Sequence, residues 1–220
     1  MIPIRDKNPS RTFPLVNTAI IAINVLVFFY ELSLGPELRP FLYRYGLVPA
    51  ALFYPDIPEA GGLHTLLTSM FLHGGLMHLA GNMIFLYIFG DNVEDHYGHG
   101  PYVLFYVAAG VGAALTQIAI NPSSTVPMVG ASGAISGVMG AYMVLFPQAR
   151  IITLVPVFLF FTLVEMPAVV FVMIWFVMQF LFGLGSTVAG STGPGVAWWA
   201  HVGGFVTGAA ITWALRRVLR

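Results

Sequence analysis

Residues 66–90 read LLTSMFLHGGLMHLAGNMIFLYIFG, a stretch that contains no Lys, Arg, Asp or Glu. A helix needs about 20 mostly apolar residues to cross a bilayer, and this stretch is long enough. Polar side chains are costly inside a membrane, so His73, His78 and Asn82 indicate a functional position. His78 and Asn82 share one helix face because they are four residues apart, whereas His73 points elsewhere. The stretch predicts a membrane helix whose polar side chains belong to a functional site.

The composition of the whole chain is that of a membrane protein. Of its 220 residues, 58% are hydrophobic and 8% are charged, whereas soluble domains carry about a quarter charged residues. The expected partner is therefore the lipid bilayer. Nine basic and nine acidic residues cancel, which gives no argument for nucleic acid binding. The absence of cysteine excludes disulfides, thiolate metal sites and a cysteine nucleophile.

Six stretches of the chain are predicted to span the membrane. They are residues 14–32, 66–90, 102–120, 131–146, 166–184 and 198–218. Residues 151–165 are also apolar, but Pro156, Glu165 and Pro167 interrupt them, so they are interpreted as a connection at the membrane interface. The prediction is an all-α membrane protein, a bundle of six transmembrane helices.

The distribution of basic residues predicts the orientation of these spans. With six spans, one side of the membrane holds Arg5, Lys7, Arg11, Arg150, Arg216, Arg217 and Arg220, and the other holds Arg39 and Arg44. Both termini are therefore predicted to be cytoplasmic. The chain is interpreted as a single domain, 1–220, with a cytoplasmic segment at 1–13 and the six-helix core at 14–218. Without a signal peptide or targeting segment, such a short chain is expected in a prokaryotic plasma membrane.

Two connections on the predicted outer side have a distinctive composition. Residues 35–62 hold aromatic side chains among prolines and charges, which predicts a segment in the outer interface of the membrane. An ordinary extramembrane loop is the alternative. Residues 185–195 read GSTVAGSTGPG and are expected to form a flexible loop.

Two more polar clusters open the fourth and the sixth predicted spans. Residues 130–137 read GASGAISG and residues 201–208 read HVGGFVTG, which place Ser132 and His201 near the start of their spans. Both spans run in the same direction as residues 66–90, so the three clusters are expected at a similar depth towards the outer leaflet. Helix packing explains each cluster alone, and their conjunction is what favours a catalytic site.

Small residues predict how the fourth and sixth spans meet. Gly133 and Gly137 on one span, and Gly204 and Gly208 on the other, have the spacing of four that lets membrane helices pack backbone to backbone. Such packing would bring the histidine within about 3 Å of the serine, the distance at which a base activates a hydroxyl nucleophile. Because no Asp or Glu lies near them in these spans, a Ser–His dyad without a third member is expected.

Together, HGGLMHLAGN at 73–82, GASG at 130–133 and HVGGFVTG at 201–208 resemble the rhomboid family of intramembrane serine proteases. The resemblance extends from the first span to the last. It implies a six-helix core with cytoplasmic termini and the hydrolysis of peptide bonds without a cofactor. The implied substrates are single-pass transmembrane proteins, cut near the outer face of the membrane.

The resemblance also implies roles for individual residues. Ser132 is implied to be the nucleophile and His201 the general base, while His78 and Asn82 stabilise the oxyanion. His73 is implied to be structural and to bond the first outer loop.

Other features of the family fall on less distinctive residues. Glu94 resembles a structural position that ties its turn to neighbouring segments. His96 and His99 lie near three carboxylates, but a cytoplasmic turn explains this grouping better than a metal site does, and no metal is expected. The fifth span is implied to be a lateral gate and residues 185–195 a cap.

The aromatic residues near the implied gate are also explained by ordinary positions in a membrane protein. Four of them suit a lipid-facing gate, although an ordinary lipid-facing helix would look the same: Phe171, Trp175, Phe176 and Phe180. Trp198 and Trp199 are interpreted as part of an interfacial aromatic belt.

The chain departs from the family pattern at two positions. Many bacterial members carry Trp-Arg in the first outer loop, where this chain has Leu63–His64–Thr65. Some members place an aromatic residue against the histidine ring one turn after the nucleophile. Here that residue is Ser136, so other packing must hold His201.

Two other classes of function are alternatives to proteolysis. A catalytically weak or inactive rhomboid-like protein would bind membrane proteins for quality control, but such relatives usually lack the nucleophile or the base. A channel or transporter would show repeat symmetry, broken helices in matched halves or acidic relays, and the sequence has none of these.

Overall fold

The computed structural model describes residues 1–54, 57, 60–158, 160–189 and 195–216. Helices dominate this part of the chain. They are α1 (Leu15–Ser33), α2 (Leu38–Tyr45), α3 (Thr65–Thr68), α4 (Leu76–Tyr97), α5 (His99–Ile120), α6 (Ser132–Leu145), α7 (Ala168–Val188) and α8 (Trp198–Leu215). Three strands accompany them, namely β1 (Ile2–Asp6), β2 (Arg150–Val157) and β3 (Phe160–Pro167).

The lengths of these helices make the chain an integral membrane protein. α1, α5 and α7 are each long and apolar enough to cross a membrane. The short helical segment Thr65–Phe71 and α4 meet at 95° and count as a fourth span if they are taken together. α6 is a shorter apolar helix of 14 residues. Each of the six predicted stretches therefore contains a helix, while six complete spans and their orientation remain a prediction.

The predicted second span, 66–90, has different bounds in the structure. α4 begins only at Leu76, so His73 lies in the connection before it. Gly74 and Gly75 interrupt the helix here, because glycine is a poor helix former. At its other end α4 continues to Tyr97, seven residues beyond the prediction. The three carboxylates assigned to a connection therefore belong to the last turns of α4, namely Asp91, Glu94 and Asp95.

The structure is mostly helical, as predicted, but it is not purely α, because residues 150–167 form an antiparallel hairpin. β2 pairs with β3, and β1 adds to the other side of β2, giving the order β1-β2-β3. β-branched and aromatic residues favour a strand over the interfacial connection that had been predicted. The proline that argued against regular structure, Pro156, lies beyond the last β1 pair, Ile2–Leu154, where β2 has a neighbour on one side only.

The sheet ties the N-terminal segment to the end of the helix bundle. Lys7 forms an exposed ion pair with Glu165 at 2.6 Å between Nζ and Oε2. Tyr142, near the end of α6, donates a hydrogen bond from its hydroxyl to the Asp6 carboxylate at 2.5 Å. Residues 1–13 are thus partly built into the fold through β1.

Glu94 fixes the start of α1. Its buried carboxylate accepts hydrogen bonds from the backbone N–H groups of Val16 (2.9 Å) and Asn17 (2.7 Å), in the first turn of that helix. The same carboxylate contacts Nδ1 of His99, at the start of α5. An acidic group at a helix N-terminus satisfies free N–H groups and interacts favourably with the helix dipole. Glu94 therefore joins α1, α4 and α5.

The core is centred on α6, which is buried from Gly133 to Tyr142. A Cβ atom built on Gly204 would collide with the carbonyl oxygen of Gly133, and one on Gly208 would collide with that of Gly137. α6 and α8 therefore lie backbone to backbone, as the spacing of the four glycines predicts. This contact sets the distance between the first turns of the two helices.

The predicted outer loop, 35–62, contains α2 and is joined to the chain before α3 by side-chain hydrogen bonds. Thr68 donates from its hydroxyl to the carbonyl of Tyr45 at 2.6 Å, and His64 Nε2 donates to the carbonyl of Arg44 at 3.2 Å. His64 belongs to the Leu63–His64–Thr65 stretch that replaces the Trp-Arg pair. These bonds attach the loop at the end of α2 in this chain.

Candidate active site

Ser132 and His201 come together where α6 and α8 begin. Ser132 is the first residue of α6, and His201 lies in the first turn of α8. His201 Nε2 is 2.8 Å from Ser132 Oγ. The histidine is buried, with 9% of its surface exposed, while the serine is half-buried. The backbone contact between the two helices brings these side chains to the distance at which a base can remove a hydroxyl proton.

The second ring nitrogen of His201 has a partner that the sequence analysis missed. Nδ1 lies 2.8 Å from Oε1 of Gln179, on α7. An amide oxygen can only accept a hydrogen bond, so Nδ1 carries the proton and the lone pair of Nε2 faces Ser132. The expected dyad therefore has a third, neutral member. The available signal was that Gln179 is the single amide in the apolar run 168–183.

Two tryptophans flank the His201 ring. The centroids of the Trp175 and Trp198 rings each lie 6.0 Å from the imidazole centroid, and Trp198 presents its edge. Ser136, which stands where some family members have an aromatic residue, donates instead to the carbonyl of Ser132 at 2.6 Å. Packing by the tryptophans takes the place of the missing aromatic residue. Trp198 thus has a contact with the site besides its interpretation as an interfacial residue.

His78 and Asn82 lie in the first two turns of α4 and border the same cavity as Ser132 and His201. His78 Nδ1 accepts a hydrogen bond from the backbone N–H of Gly74 at 3.3 Å. In a neutral imidazole, this leaves the proton on Nε2, where it can be donated. The Asn82 amide nitrogen donates one hydrogen to Nε2 of His73 at 2.9 Å, so its second hydrogen is available.

Gly130 holds the chain against His78. Its φ of +125° is one that residues with a side chain rarely adopt, and a Cβ built on it would lie 2.7 Å from His78 Nε2. Its N–H donates to the carbonyl of Ser69 at 2.9 Å. Gly130 belongs to the GASG motif, but its own role was not identified from the sequence.

His73 connects the site to α1. Its backbone N–H lies 3.1 and 3.3 Å from the two carboxylate oxygens of the buried Glu31, and its ring bonds Asn82. The ring of His73 also lies edge-on to that of His78, with 5.1 Å between their centroids. Glu31 was not singled out in the sequence, although a carboxylate within a membrane helix is a recognisable signal.

A cavity of about 780 Å³ contains these groups. Its polar wall includes Ser132, His201, His78 and Asn82, and its apolar wall includes Met77 and other hydrophobic side chains. The first N–H groups of α6 have no partner within the helix, and the positive end of its dipole lies at Ser132. The arrangement can activate a hydroxyl and surround a developing oxyanion with donors.

The aromatic residues of α7 are not the lipid-facing set that was expected. Phe171 has 1% of its surface exposed and stacks on Phe89. Phe176 stacks on Phe205 with 4.5 Å between the ring centroids. Of the four, only Phe180, with 39% exposed, has the predicted exposure. The large exposed side chains of α7 also include Met173, Ile174, Val177, Leu181 and Phe182.

The predicted loop 185–195 begins later than expected. α7 continues to Val188, and the indole N–H of Trp199 donates to the Thr187 hydroxyl at 2.9 Å, which joins α7 to α8. Residues 190–194 of the predicted cap lie outside the described residues. Arg217 and Arg220, which count towards the predicted orientation, also lie outside the described residues.

His96 and His99 contact neighbouring side chains of the helix bundle. His99 contacts Glu94, and the ring of His96 packs edge-on against those of Tyr97 and Phe146. Among the described residues, no group of three or more His, Asp or Glu side chains is arranged to hold a metal ion.

Comparison with known proteins agrees with the resemblance of the motifs. The sequence model of the family described as "Rhomboid domain" matches residues 60–218. The "Rhomboid protease GluP" of Bacillus subtilis is 35% identical over 129 residues, which are 58% of this chain and 24% of that protein. "RHOMBOID-like protein 5" of Arabidopsis thaliana is 33% identical over 111 residues, 50% of this chain and 34% of that protein.

A mammalian relative has a similar degree of identity. The "Presenilin-associated rhomboid-like protein, mitochondrial" of Mus musculus is 33% identical over 147 residues, 65% of this chain and 36% of that protein. The matches thus cover between 24% and 36% of the length of these three relatives.

Proposed function

The chain belongs to the rhomboid family, and from that premise we propose that it is an intramembrane serine endopeptidase. The observation that carries the proposal is the distance of 2.8 Å between His201 Nε2 and Ser132 Oγ, with Nδ1 of the same ring bonded to Gln179. A serine hydroxyl is a weak nucleophile until a base removes its proton. The tautomer and position of His201 suit that base.

The proposed reaction begins with attack by Ser132 Oγ on the carbonyl carbon of the scissile peptide bond. His201 Nε2 takes the hydroxyl proton as the new C–O bond forms, and then gives that proton to the leaving amine as the C–N bond breaks. Water then hydrolyses the acyl-enzyme, with His201 again acting as base. The acid product leaves and Ser132 is restored. The reaction needs no cofactor.

Three donors are proposed to stabilise the oxyanion. They are the Ser132 backbone N–H at the start of α6, the Nε2–H of His78 and the free amide hydrogen of Asn82. Donors fixed by the fold stabilise charge as it develops in the transition state, and losing one typically costs about 10²- to 10³-fold in turnover. The hydrogen bonds from Gly74 to His78 and from Asn82 to His73 support this preorganisation.

The proposed substrates are single-pass transmembrane proteins, cut near the outer leaflet. The apolar cavity wall supports a substrate segment that arrives from the membrane, while the polar wall supports access of the water that hydrolysis requires. The prokaryotic plasma membrane remains a prediction, because relatives occur in a bacterium and also in plants, mouse and yeast.

A serine-reactive fluorophosphonate tests the proposal without knowledge of the substrate. The detergent-solubilised protein is expected to be labelled, and Ser132→Ala and His201→Ala are each expected to abolish labelling. Ser186→Ala is a matched control, because that serine lies in the last turn of α7 and its hydroxyl donates to the carbonyl of Gly183. Full labelling of Ser132→Ala would refute the assignment of the nucleophile.

A cleavage assay separates a protease from an inactive relative that only binds membrane proteins. The protein is reconstituted in liposomes with a model substrate that has one transmembrane helix. Cleavage by the wild type and its loss in Ser132→Ala support the proposal. A folded wild type that binds the model substrate but neither cleaves it nor reacts with fluorophosphonate would favour the binding function.

A further inference from the structure

Gln179 is the one polar side chain on the apolar face of α7 that reaches the catalytic histidine. Only 6% of its surface is exposed, and its Oε1 lies 2.8 Å from His201 Nδ1. Trp175, one turn earlier on the same face of α7, flanks the same ring. The imidazole is thus held between α6, which carries Ser132, and α7, which carries both of these side chains.

The chemistry of the amide gives this contact a specific consequence. A neutral imidazole can serve as base towards Ser132 only in the tautomer that has its proton on Nδ1 and its lone pair on Nε2. The amide oxygen of Gln179 can accept from Nδ1 but cannot donate to it, so the contact favours that tautomer. The contact also fixes the orientation of the imidazole ring, because Nδ1 is hydrogen-bonded to Gln179 while Nε2 is hydrogen-bonded to Ser132.

We propose that Gln179 is a positioning residue that sets the tautomer and orientation of His201, and thereby makes catalysis depend on the place of α7. This inference rests on the proposed function. Gln179 does not exchange a proton with the substrate; it acts through His201. A shift of α7 away from α8 would separate Oε1 from Nδ1 and release the ring.

A purely structural role is the competing explanation, because a buried amide in a membrane helix also stabilises helix packing. Gln179 borders the cavity, so contact with the substrate is a second alternative. The three explanations predict different measurements. A packing residue affects stability, a substrate contact affects KM, and a positioning residue affects kcat and the reactivity of Ser132 towards any small electrophile.

The test compares the wild type with Gln179→Met, Gln179→Leu and Gln179→Glu in liposomes that contain the model transmembrane substrate. Methionine and leucine keep an apolar side chain of similar size but offer no strong acceptor, while glutamate presents a carbonyl or carboxylate oxygen at the same distance. Ile174→Met is the matched control, because Ile174 lies on the exposed face of α7. Melting temperature and fluorophosphonate labelling are measured on the same preparations.

We expect Gln179→Met and Gln179→Leu to lower kcat by about 10- to 100-fold. This loss is smaller than the roughly 10⁴-fold loss in kcat that follows replacement of the aspartate that orients the histidine in a Ser-His-Asp triad. KM is expected to stay unchanged, and labelling by fluorophosphonate to slow by the same factor as kcat. Gln179→Glu is expected to recover most of the rate. Ile174→Met is expected to behave as the wild type.

Wild-type kcat and labelling rates in Gln179→Met and Gln179→Leu would overturn the inference, as would a loss confined to KM. A loss that Gln179→Glu does not recover and that follows the melting temperature would assign Gln179 to packing alone and also overturn it. A wild type that neither labels nor cleaves would refute the proposed function, and this inference with it. The two failures are therefore distinguishable.

Discussion

Replacing Gly204 by alanine tests how far the site depends on the contact between α6 and α8. The added Cβ would collide with the carbonyl oxygen of Gly133 and would lie 2.9 Å from its carbonyl carbon. Carbon atoms in contact settle at about 3.5–4.0 Å, so α8 must move outward by roughly 1 Å. His201 lies three residues earlier on α8, and its 2.8 Å hydrogen bond to Ser132 would lengthen beyond the usual range.

Two magnitudes follow from this displacement. A misplacement of about 1 Å in a reacting group can cost about 10²-fold in rate, so kcat and the fluorophosphonate labelling rate of Gly204→Ala are expected to fall by about that factor. Overpacking of a tight interface typically destabilises by about 1–3 kcal/mol, so the melting temperature is expected to fall as well. Both are measured in detergent, the melting temperature by tryptophan fluorescence.

Gly185→Ala is the control for this experiment. Gly185 lies in the last turn of α7, with no atom within 4 Å of its added Cβ. Alanine is favoured over glycine in a helix by roughly 0.5–1 kcal/mol, so this variant is expected to be as active as the wild type and no less stable. A Gly204→Ala protein with the labelling rate and melting temperature of the wild type would refute the reasoning from helix contact.

Three other substitutions have defined outcomes. Gly130→Ala combines an unfavourable φ with a clash against His78. It is expected to displace the oxyanion donor of His78 and so to lower kcat by about 10²-fold, and an unchanged kcat would contradict this. Glu94→Ala leaves two N–H groups of α1 without their acceptor and is expected to cost about 2–4 kcal/mol, visible as a lower melting temperature; equal melting temperatures would rule out the cap. Burial raises the pKa of the Asp6 carboxyl above its usual value of 3.8, so the native state binds the carboxyl proton more tightly than the unfolded chain does. The protonated carboxyl therefore contributes to the stability of the fold at low pH, and this contribution is lost as pH rises above 3.8. Asp6→Asn is therefore expected to flatten the dependence of melting temperature on pH above 3.8, and an unaltered slope would contradict the assignment.

The part of the site that depends on helix packing could be predicted from sequence. The glycines of α6 and α8 are spaced by four, and this local pattern is enough to predict that Ser132 and His201 meet. Gln179 could not be assigned in the same way, because its partner depends on how α7 rotates against α8. A single amide in an apolar run indicates a buried contact, but not which atom it meets.

The fold was predicted less completely where pairing is distant in sequence. β1 lies about 150 residues before β2, and short strands beside membrane helices have no periodic signal strong enough to reveal such a partner. The tautomer of His78 could not be predicted from sequence either, because it depends on the backbone N–H of Gly74. Nor could the packing of Trp175 and Trp198 on His201, in place of an aromatic residue at position 136, be predicted. These contacts depend on tertiary geometry, which a local pattern does not encode.

The position of β1 in the sheet also constrains the order in which the protein assembles during synthesis. Ile2 pairs with Leu154, so β1 cannot reach its place in the sheet until residues 151–154 of β2 have been made. At about 5–20 residues per second, this delay is roughly 7–30 s. During that interval the unpaired N–H and C=O groups of β1 are open to other strands. β1 is thus made before α1 to α6 but reaches its final place only after those helices have been synthesised.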